Sequence, residues 1–132
     1  MTRIVLDHIS LSVGDMARAR AFYEKALAPI GFTVLMEFPA SMTGTVDVAG
    51  LGVEGKPCFW VSASGRQTPA THIAFGVETR AEVDAFYEAA IAAGGTDNGA
   101  PGIREIYHPT YYGAFVRDPE GHNIEAVCHA PE

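Results

Sequence analysis

The sequence predicts an α+β domain built from two copies of one β-α-β-β-β module, because the chain repeats itself at a fixed offset. The tetrapeptide Ala-Phe-Tyr-Glu at residues 21–24 returns at residues 85–88. The dipeptide His-Ile at residues 8–9 returns at residues 72–73, again 64 residues later. One offset shared by a strand-like and a helix-like segment indicates a duplicated supersecondary unit rather than a chance match.

The length of 132 residues suits a single domain over residues 1–132. A hydrophobic content of 48% is enough for a packed core and argues against disorder. No linker-like composition separates the copies. We therefore place module one at residues 1–66 and module two at residues 67–132.

The first module opens with alternating polar and apolar residues over residues 4–13, which predicts a strand with two unlike faces. Asp15 is a suitable N-cap for a helix over residues 16–28. That helix carries one apolar stripe and stops at Pro29 and Gly31. Glycines and prolines then separate three predicted strands, at residues 32–38, 43–49 and 58–62.

The second module repeats this plan. A strand at residues 71–77 leads to a helix that begins at a capping box formed by Thr79 and Glu82 and ends at Gly94. The Gly- and Pro-rich residues 97–102 are predicted to form a loop. The remaining strands are predicted at residues 103–107, 112–117 and 123–128, with a turn at residues 118–121.

Composition and charge exclude several classes of function. A net charge of −7 gives no favourable counterion release on a phosphate backbone, so we expect no nucleic-acid partner. No run approaches the ~20 apolar residues that span a bilayer. The first residues lack the apolar core of a signal peptide, and a cytoplasmic location is expected. The two cysteines are too few for a disulfide framework.

The plan resembles the vicinal-oxygen-chelate superfamily, which includes glyoxalase I, extradiol dioxygenases, fosfomycin-resistance thiol transferases, methylmalonyl-CoA epimerase and bleomycin-resistance proteins. Three segments carry the resemblance: the opening strand at residues 6–13, the helix motif at residues 21–23, and the closing Asp-Pro-Glu-Gly-His-Asn-Ile-Glu at residues 118–125. It implies two curved sheets joined into a half-open eight-stranded barrel, with helices outside and a ligand cavity inside.

The resemblance also implies a metal site with His8, His72 and Glu125 as ligands. The residue pattern agrees with it, because both histidines share a strand face with small residues and Glu125 lies in an otherwise apolar strand. A carboxylate buried there without a partner would cost several kcal/mol. Two imidazoles and one carboxylate suit a divalent ion such as Fe(II), Mn(II), Ni(II) or Zn(II).

Residues around the segment 108–113 are candidates for the chemistry. Tyr112 and His108 are candidate general acids or bases. His122 and His129 are expected to be exposed turn and tail residues. The predicted substrate contacts combine one hydroxyl, one indole, one guanidinium and one phenol: Ser10, Trp60, Arg104 and Tyr111.

The resemblance does not select one reaction. Glyoxalase I typically has a fourth ligand on the last strand of module one, where Phe59 or Val61 is expected opposite Glu125, and neither ligates metal. Extradiol dioxygenases commonly have a tyrosine at the position of Phe115. Fosfomycin-type transferases have a threonine at the position of Ser10, which is also a hydroxyl.

Two classes of function therefore stay open. The first is a metal-dependent enzyme of the lyase/isomerase, thiol-transferase or dioxygenase type that acts on a small oxygen-rich substrate. The second is a metal-free module that sequesters a small molecule, as bleomycin-resistance proteins do. The resemblance favours a homodimer, and the two modules either form one cup within a chain or exchange across the dimer.

Overall fold

The computed structural model describes residues 5–132 and contains two four-stranded sheets with helices. The first sheet has the strand order β1-β4-β3-β2 and the second has the matching order β5-β8-β7-β6. The predicted pair of β-α-β-β-β modules is thus confirmed, and the two sheets do not close into a barrel. No helix within the described residues has the length and apolar character needed to cross a membrane.

The first sheet and its helices occupy the N-terminal half of the chain. A 3₁₀ turn over Ala28–Ile30 extends the first helix. The elements are β1 (Ile9–Ser12), α1 (Met16–Leu27), β2 (Thr33–Phe38), α2 (Ala40–Thr43), β3 (Val48–Val53) and β4 (Lys56–Ser62).

The second sheet repeats the order without a counterpart of the short α2. Thr79 caps the long helix, and the reciprocal bond from Glu82 completes the predicted capping box. The elements are β5 (His72–Val77), α3 (Arg80–Ala92), β6 (Thr96–Ile103), β7 (Tyr112–Arg117) and β8 (Asn123–Cys128).

The core lies between the long helices and one face of each sheet. Tyr23 of α1 and Phe86 of α3 are fully buried, and α1 packs directly against α3. Phe59 of β4 and Phe75 of β5 meet edge to face with their ring centroids 5.5 Å apart. The helices therefore cover the apolar faces of both sheets, and the opposite faces carry Ser10 and Trp60 in the first sheet and His72 and Glu125 in the second.

The Asp-Pro-Glu-Gly turn before β8 links the modules. The Glu120 carboxylate accepts hydrogen bonds from the backbone N–H groups of Gly14 and Asp15, at 2.9–3.1 Å, just before α1 begins. The Tyr23 hydroxyl donates to Asp118, which also accepts from the backbone of the same turn. The predicted turn forms, and the buried side chains of Asp118 and Glu120 fix α1 from the other module.

His122 in this turn corrects the expectation of an exposed residue. Its side chain is fully buried, and Nδ1 accepts the backbone N–H of Thr71 at 3.1 Å. No hydrogen-bond partner for Nε2 lies within residues 5–132. His129 is exposed, as predicted.

Two segments differ from the predicted strands. Residues 97–102, predicted to be a loop, form most of β6. This strand lies at the edge of its sheet, where a proline such as Pro101 can be accommodated without the loss of a hydrogen bond between strands. Its pairing with β7 shifts register twice. Residues 103–107, predicted to be a strand, instead largely form the loop that follows.

The strand predicted at residues 43–49 begins only at Val48. The Thr43 hydroxyl accepts backbone N–H groups of Thr45 and Val46, both at 3.1 Å, which stabilises a turn there. The strand predicted from residue 4 is observed as β1 from Ile9, and residue 4 itself lies outside the described part of the chain.

Candidate functional site

His72 and Glu125 form a close pair on the polar face of the second sheet. Parallel pairing sets Ala74 beside Glu125, so His72, two residues earlier, projects from the same face. Its Nε2 lies 2.7 Å from Glu125 Oε1. The Glu125 side chain is only 1% exposed, whereas that of His72 is 52% exposed. The pair therefore has a buried carboxylate and an imidazole that is open to an incoming group.

Tyr111 occupies the second oxygen of Glu125 through a hydrogen bond from its phenol. Burial, reinforced by the Glu125 carboxylate, raises the pKa of Tyr111 well above its ordinary value, so the phenol keeps its proton and donates it. Gly113 makes room for this contact, because a Cβ there would lie 3.1 Å from Tyr111 Cε1 and 3.3 Å from Glu125 Oε2.

A cavity of about 300 Å³ adjoins this pair. The His72 ring centroid lies 6.1 Å from that of Phe115, which forms one wall of the cavity. The Arg104 guanidinium lies over the same Phe115 ring, with Cζ 5.4 Å from the centroid. The lining residues are Asn98, Gly99, Arg104, Tyr107, Phe115 and Asn123.

Of these six lining residues, the sequence singled out Arg104 alone as a ligand contact, and the five that it missed include Asn98 and Asn123. Asn123 lies two residues before Glu125 and therefore on the same face of β8, a relation that strand alternation alone could have revealed. Asn98 comes from the segment expected to be a loop, so no strand face was assigned to it. Its side chain donates to Asn123 Oδ1 at 3.2 Å.

His8 lies apart from the His72–Glu125 pair. Its Nδ1 is 2.6 Å from Asp7, an exposed carboxylate whose pKa is lowered by the Lys56 ammonium and also by His8. His8 lines a separate cavity of about 300 Å³ that also touches Cys58 of β4 and residues 73–76 of β5. Within residues 5–132, no three side chains of His, Cys, Asp or Glu come close enough to hold one metal ion.

Trp60 occupies the position in module one that Glu125 occupies in module two. Trp60 pairs with Ser10 across β1 and β4, just as Glu125 pairs with Ala74 across β5 and β8. Ser10 and Ala74 are themselves 64 residues apart, in the repeat register. The prediction that Phe59 or Val61 lies at the position equivalent to Glu125 is therefore wrong. Both side chains are buried in the core instead.

The error has a simple origin in chain length. Between paired positions, 50 residues separate Ser10 from Trp60, whereas 51 separate Ala74 from Glu125. A difference of one residue reverses the face on which a strand side chain lies. Trp60 lies flat over Gly50 and stacks on Phe38, with centroids 6.1 Å apart and planes at 12°.

The two candidate acid–base residues do not contact the His72–Glu125 pair. Tyr112 faces α3, where its hydroxyl donates to Asp84 at 2.6 Å. That bond, followed by burial, raises the pKa of Tyr112. His108 is exposed, and its Nδ1 accepts the Thr110 backbone N–H at 3.1 Å. Ser10 lies on the same face of the first sheet as Trp60, its pairing partner.

The sequence match to a known family accords with this fold. The family described as the Glyoxalase/Bleomycin resistance protein/Dioxygenase superfamily matches residues 5–126. The chain belongs to this superfamily. No curated protein matches the chain.

Solved structures of other superfamily proteins share the fold. A glyoxalase/bleomycin resistance protein from Albidiferax ferrireducens T118 has a TM-score of 0.73 at 23% identity, over 95% of this chain and 98% of the other. A family enzyme from Burkholderia phytofirmans PsJN has a TM-score of 0.68 at 24% identity, with coverages of 95% and 98%.

Maize glyoxalase I is also similar in fold. Its structure has a TM-score of 0.72 at 19% identity and covers 96% of this chain. The match extends over 45% of the maize chain, so this protein spans about half of that enzyme's length. At such identities the likeness shows the shared superfamily fold and leaves the reaction open.

Proposed function

We propose that the protein is a divalent-metal-dependent enzyme that acts on a small oxygen-rich substrate. The observation that carries this proposal is the 2.7 Å contact between His72 Nε2 and Glu125 Oε1 on an open sheet face. An imidazole nitrogen and a carboxylate oxygen are common ligands of divalent transition metals. Tyr111 supports the pair from behind by holding the second carboxylate oxygen, as groups beyond the ligands do in metal sites.

An imidazole and a carboxylate are suitable metal ligands, but one chain brings together only His72 and Glu125 of the three predicted ligands. We therefore propose that His8 reaches the pair from a second copy of the chain. In support, Ser10 and Trp60 share a face of the first sheet and His8 lies two residues before Ser10, as His72 lies two residues before Ala74 beside Glu125. In a two-fold dimer, module one of each copy would face module two of the other.

A bound metal would polarise a substrate oxygen and stabilise negative charge that develops on it, an effect worth several kcal/mol. The chain's own groups would position the reactants. Tyr111 keeps Glu125 oriented, and the half-exposed His72 ring lies beside Phe115, which lines the adjoining cavity. We assign no acid–base role to Tyr112, because its hydroxyl is engaged with Asp84 on the helix side of the sheet.

The second candidate function is metal-free binding of a small molecule. It is favoured by one observation: both oxygens of Glu125 already have partners within the chain, so the buried carboxylate is satisfied without metal. The cavity beside the pair would then be the binding site. The two functions differ in what happens when His72 is removed.

Elemental analysis of protein purified without a chelator or a histidine tag tests the proposal. We expect near-stoichiometric metal in the parent protein, and loss of that metal in both His72→Ala and His8→Ala. The exposed His129→Ala variant is the matched control and should keep its metal. Absence of metal after exposure to Mn(II), Ni(II), Zn(II) and anaerobic Fe(II) would contradict the enzyme and favour the binder.

A mixing experiment tests whether two chains share each site. His8→Ala and His72→Ala chains, refolded together in equal amounts, should form mixed dimers in about half of the cases. Each mixed dimer contains one site with both histidines intact, so the mixture should recover about one quarter of the parent metal content. A mixture that stays metal-free would show that each site is built within one chain.

A further inference from the structure

We infer that the cavity beside the His72–Glu125 pair binds a small planar carboxylate through Arg104. The assignment of that carboxylate to the substrate rests on the function proposed above. The binding of the anion itself does not, because none of the cavity's lining residues is a proposed metal ligand.

The charge of the cavity points to an anion. Among residues 5–132, Arg104 is the one charged residue that lines it, in a chain with a net charge of −7. Asn98 donates to Asn123 Oδ1, which occupies that acceptor and leaves the Asn123 amide N–H groups as donors. The Tyr107 hydroxyl adds another donor. A cavity rich in donors and free of carboxylates selects a negatively charged, hydrogen-bond-accepting ligand.

The backbone is shaped to hold the Arg104 guanidinium in place. A Cβ on Gly102 would lie 2.9 Å from Nη1, and one on Gly99 would lie 3.3 Å from Nη2. Gly99 also has a φ of +148° at a register shift of β6, a conformation that disfavours other residues. Nη2 donates to Ala100 O at 2.6 Å, which fixes the plane of the group. Two glycines thus provide the space that the guanidinium occupies.

The fixed guanidinium keeps most of its hydrogen-bonding capacity. Of its five N–H donors, the contact with Ala100 uses one. The Phe115 ring lies against it, with Cζ 5.4 Å from the centroid. A guanidinium plane pairs with a carboxylate through two parallel bonds, and an adjacent aromatic wall suits a flat ligand. One cation also matches a single negative charge better than the double charge of phosphate.

The cavity's position would connect such an anion to the metal site. Phe115 separates Arg104 from His72, whose ring centroid is 6.1 Å from that of Phe115. Asn123 lines the cavity and lies two residues before Glu125 on the same strand face. The volume of about 300 Å³ is at the lower end for ligand pockets and suits a small molecule or one end of it.

Benzoate binding to metal-stripped protein, measured by calorimetry or NMR titration, tests the inference. We expect Arg104→Gln to weaken benzoate binding about 10-fold or more, since it removes a charge-assisted bond. Arg18→Gln removes the same charge from the exposed face of α1 and should have no effect. Gly102→Ala keeps every charge but displaces the guanidinium, and it should also weaken binding. Its control is Gly76→Ala, where a Cβ meets open space.

The outcomes separate this inference from the proposed function. Benzoate binding that depends on Arg104 and survives His72→Ala supports the anion site whether or not metal is ever found. Failure of benzoate to bind, equal binding by Arg104→Gln, or tighter binding of inorganic phosphate than of benzoate would overturn the inference. If the protein binds metal but gives any of those three results, the metal proposal stands. Only the inference that Arg104 binds a carboxylate is then overturned.

Discussion

Trp60 stands in the first sheet at the place where Glu125 stands in the second. Their pairing partners, Ser10 and Ala74, are equivalent residues of the repeat. The two sheets thus share their backbone plan, but only the second carries a carboxylate at this place. In the proposed dimer, one chain would supply His8 as a ligand, with the indole of Trp60 beside it. The other chain would supply His72 and Glu125.

The variant Trp60→Glu should strengthen metal binding by about 10-fold or more, because it supplies a fourth ligand. The reason is geometric: Glu125 reaches His72 from this strand position, so a glutamate at residue 60 should reach His8 in the same way. Metal affinity would be measured by competition with a chelator. Trp60→Gln is the matched control of equal length without charge. Equal affinities for the two variants would contradict the assignment.

The variant Gly113→Ala should separate Tyr111 from Glu125. A Cβ there would lie 3.1 Å from Tyr111 Cε1, so the phenol must shift away from the carboxylate. We expect weaker metal binding, and a Tyr111 pKa closer to its ordinary value, because the shift weakens the bond to Glu125. An alkaline spectrophotometric titration of the metal-free protein reports the phenol directly.

The control for this prediction is Gly76→Ala in β5, where an added Cβ has no neighbour within 4 Å. It should leave both metal affinity and the phenol titration unchanged. If Gly113→Ala behaves like Gly76→Ala, then the Tyr111–Glu125 bond does not support the site.

Much of this fold could be predicted from local pattern. The helix of module two was predicted from Thr79 and Glu82, whose side chains form the expected capping box. Its counterpart in module one was predicted from Asp15, which does cap α1 through the backbone N–H of Arg18 at 3.1 Å. Such signals act within one helical turn, so they can be read from the local sequence.

The site was harder to predict because it depends on contacts between distant residues. Trp60 is equivalent to Glu125 only because module one is one residue shorter than module two between the paired strands. That difference cannot be located from the sequence alone. The strand that contains Gly99 and Gly102 reads as a loop, since its edge position is visible only when the sheet order is known. In the proposed site, the role of His8 would depend on a second chain, which one sequence does not specify.

The variant Glu120→Ala should lower the free energy of unfolding by about 2 kcal/mol. It removes a buried carboxylate that accepts the backbone N–H groups of Gly14 and Asp15, and so it uncaps the start of α1. Urea denaturation measures the change. Glu88→Ala, on the exposed face of α3, is the matched control and should change stability little. Equal effects of the two variants would show that the turn does not stabilise α1.

The variant Tyr23→Phe should lower the free energy of unfolding by about 1–2 kcal/mol at neutral pH, because it removes a buried bond to Asp118. Burial, followed by the Asp118 charge, raises the pKa of Tyr23 well above its ordinary value of 10.0. The folded protein therefore keeps this proton when the unfolded chain loses it. The stabilisation is complete below pH 10 and declines as the pH rises further.

The difference in unfolding free energy between the parent protein and Tyr23→Phe should thus be constant from pH 6 to 9 and shrink above about pH 10. Chemical denaturation at several pH values measures it. Tyr107→Phe is the control, since Tyr107 is 64% exposed, and its difference from the parent should stay near zero throughout. A difference for Tyr23→Phe that grew with pH would mean that the folded state favours the ionised phenol, which contradicts a hydroxyl that donates to Asp118.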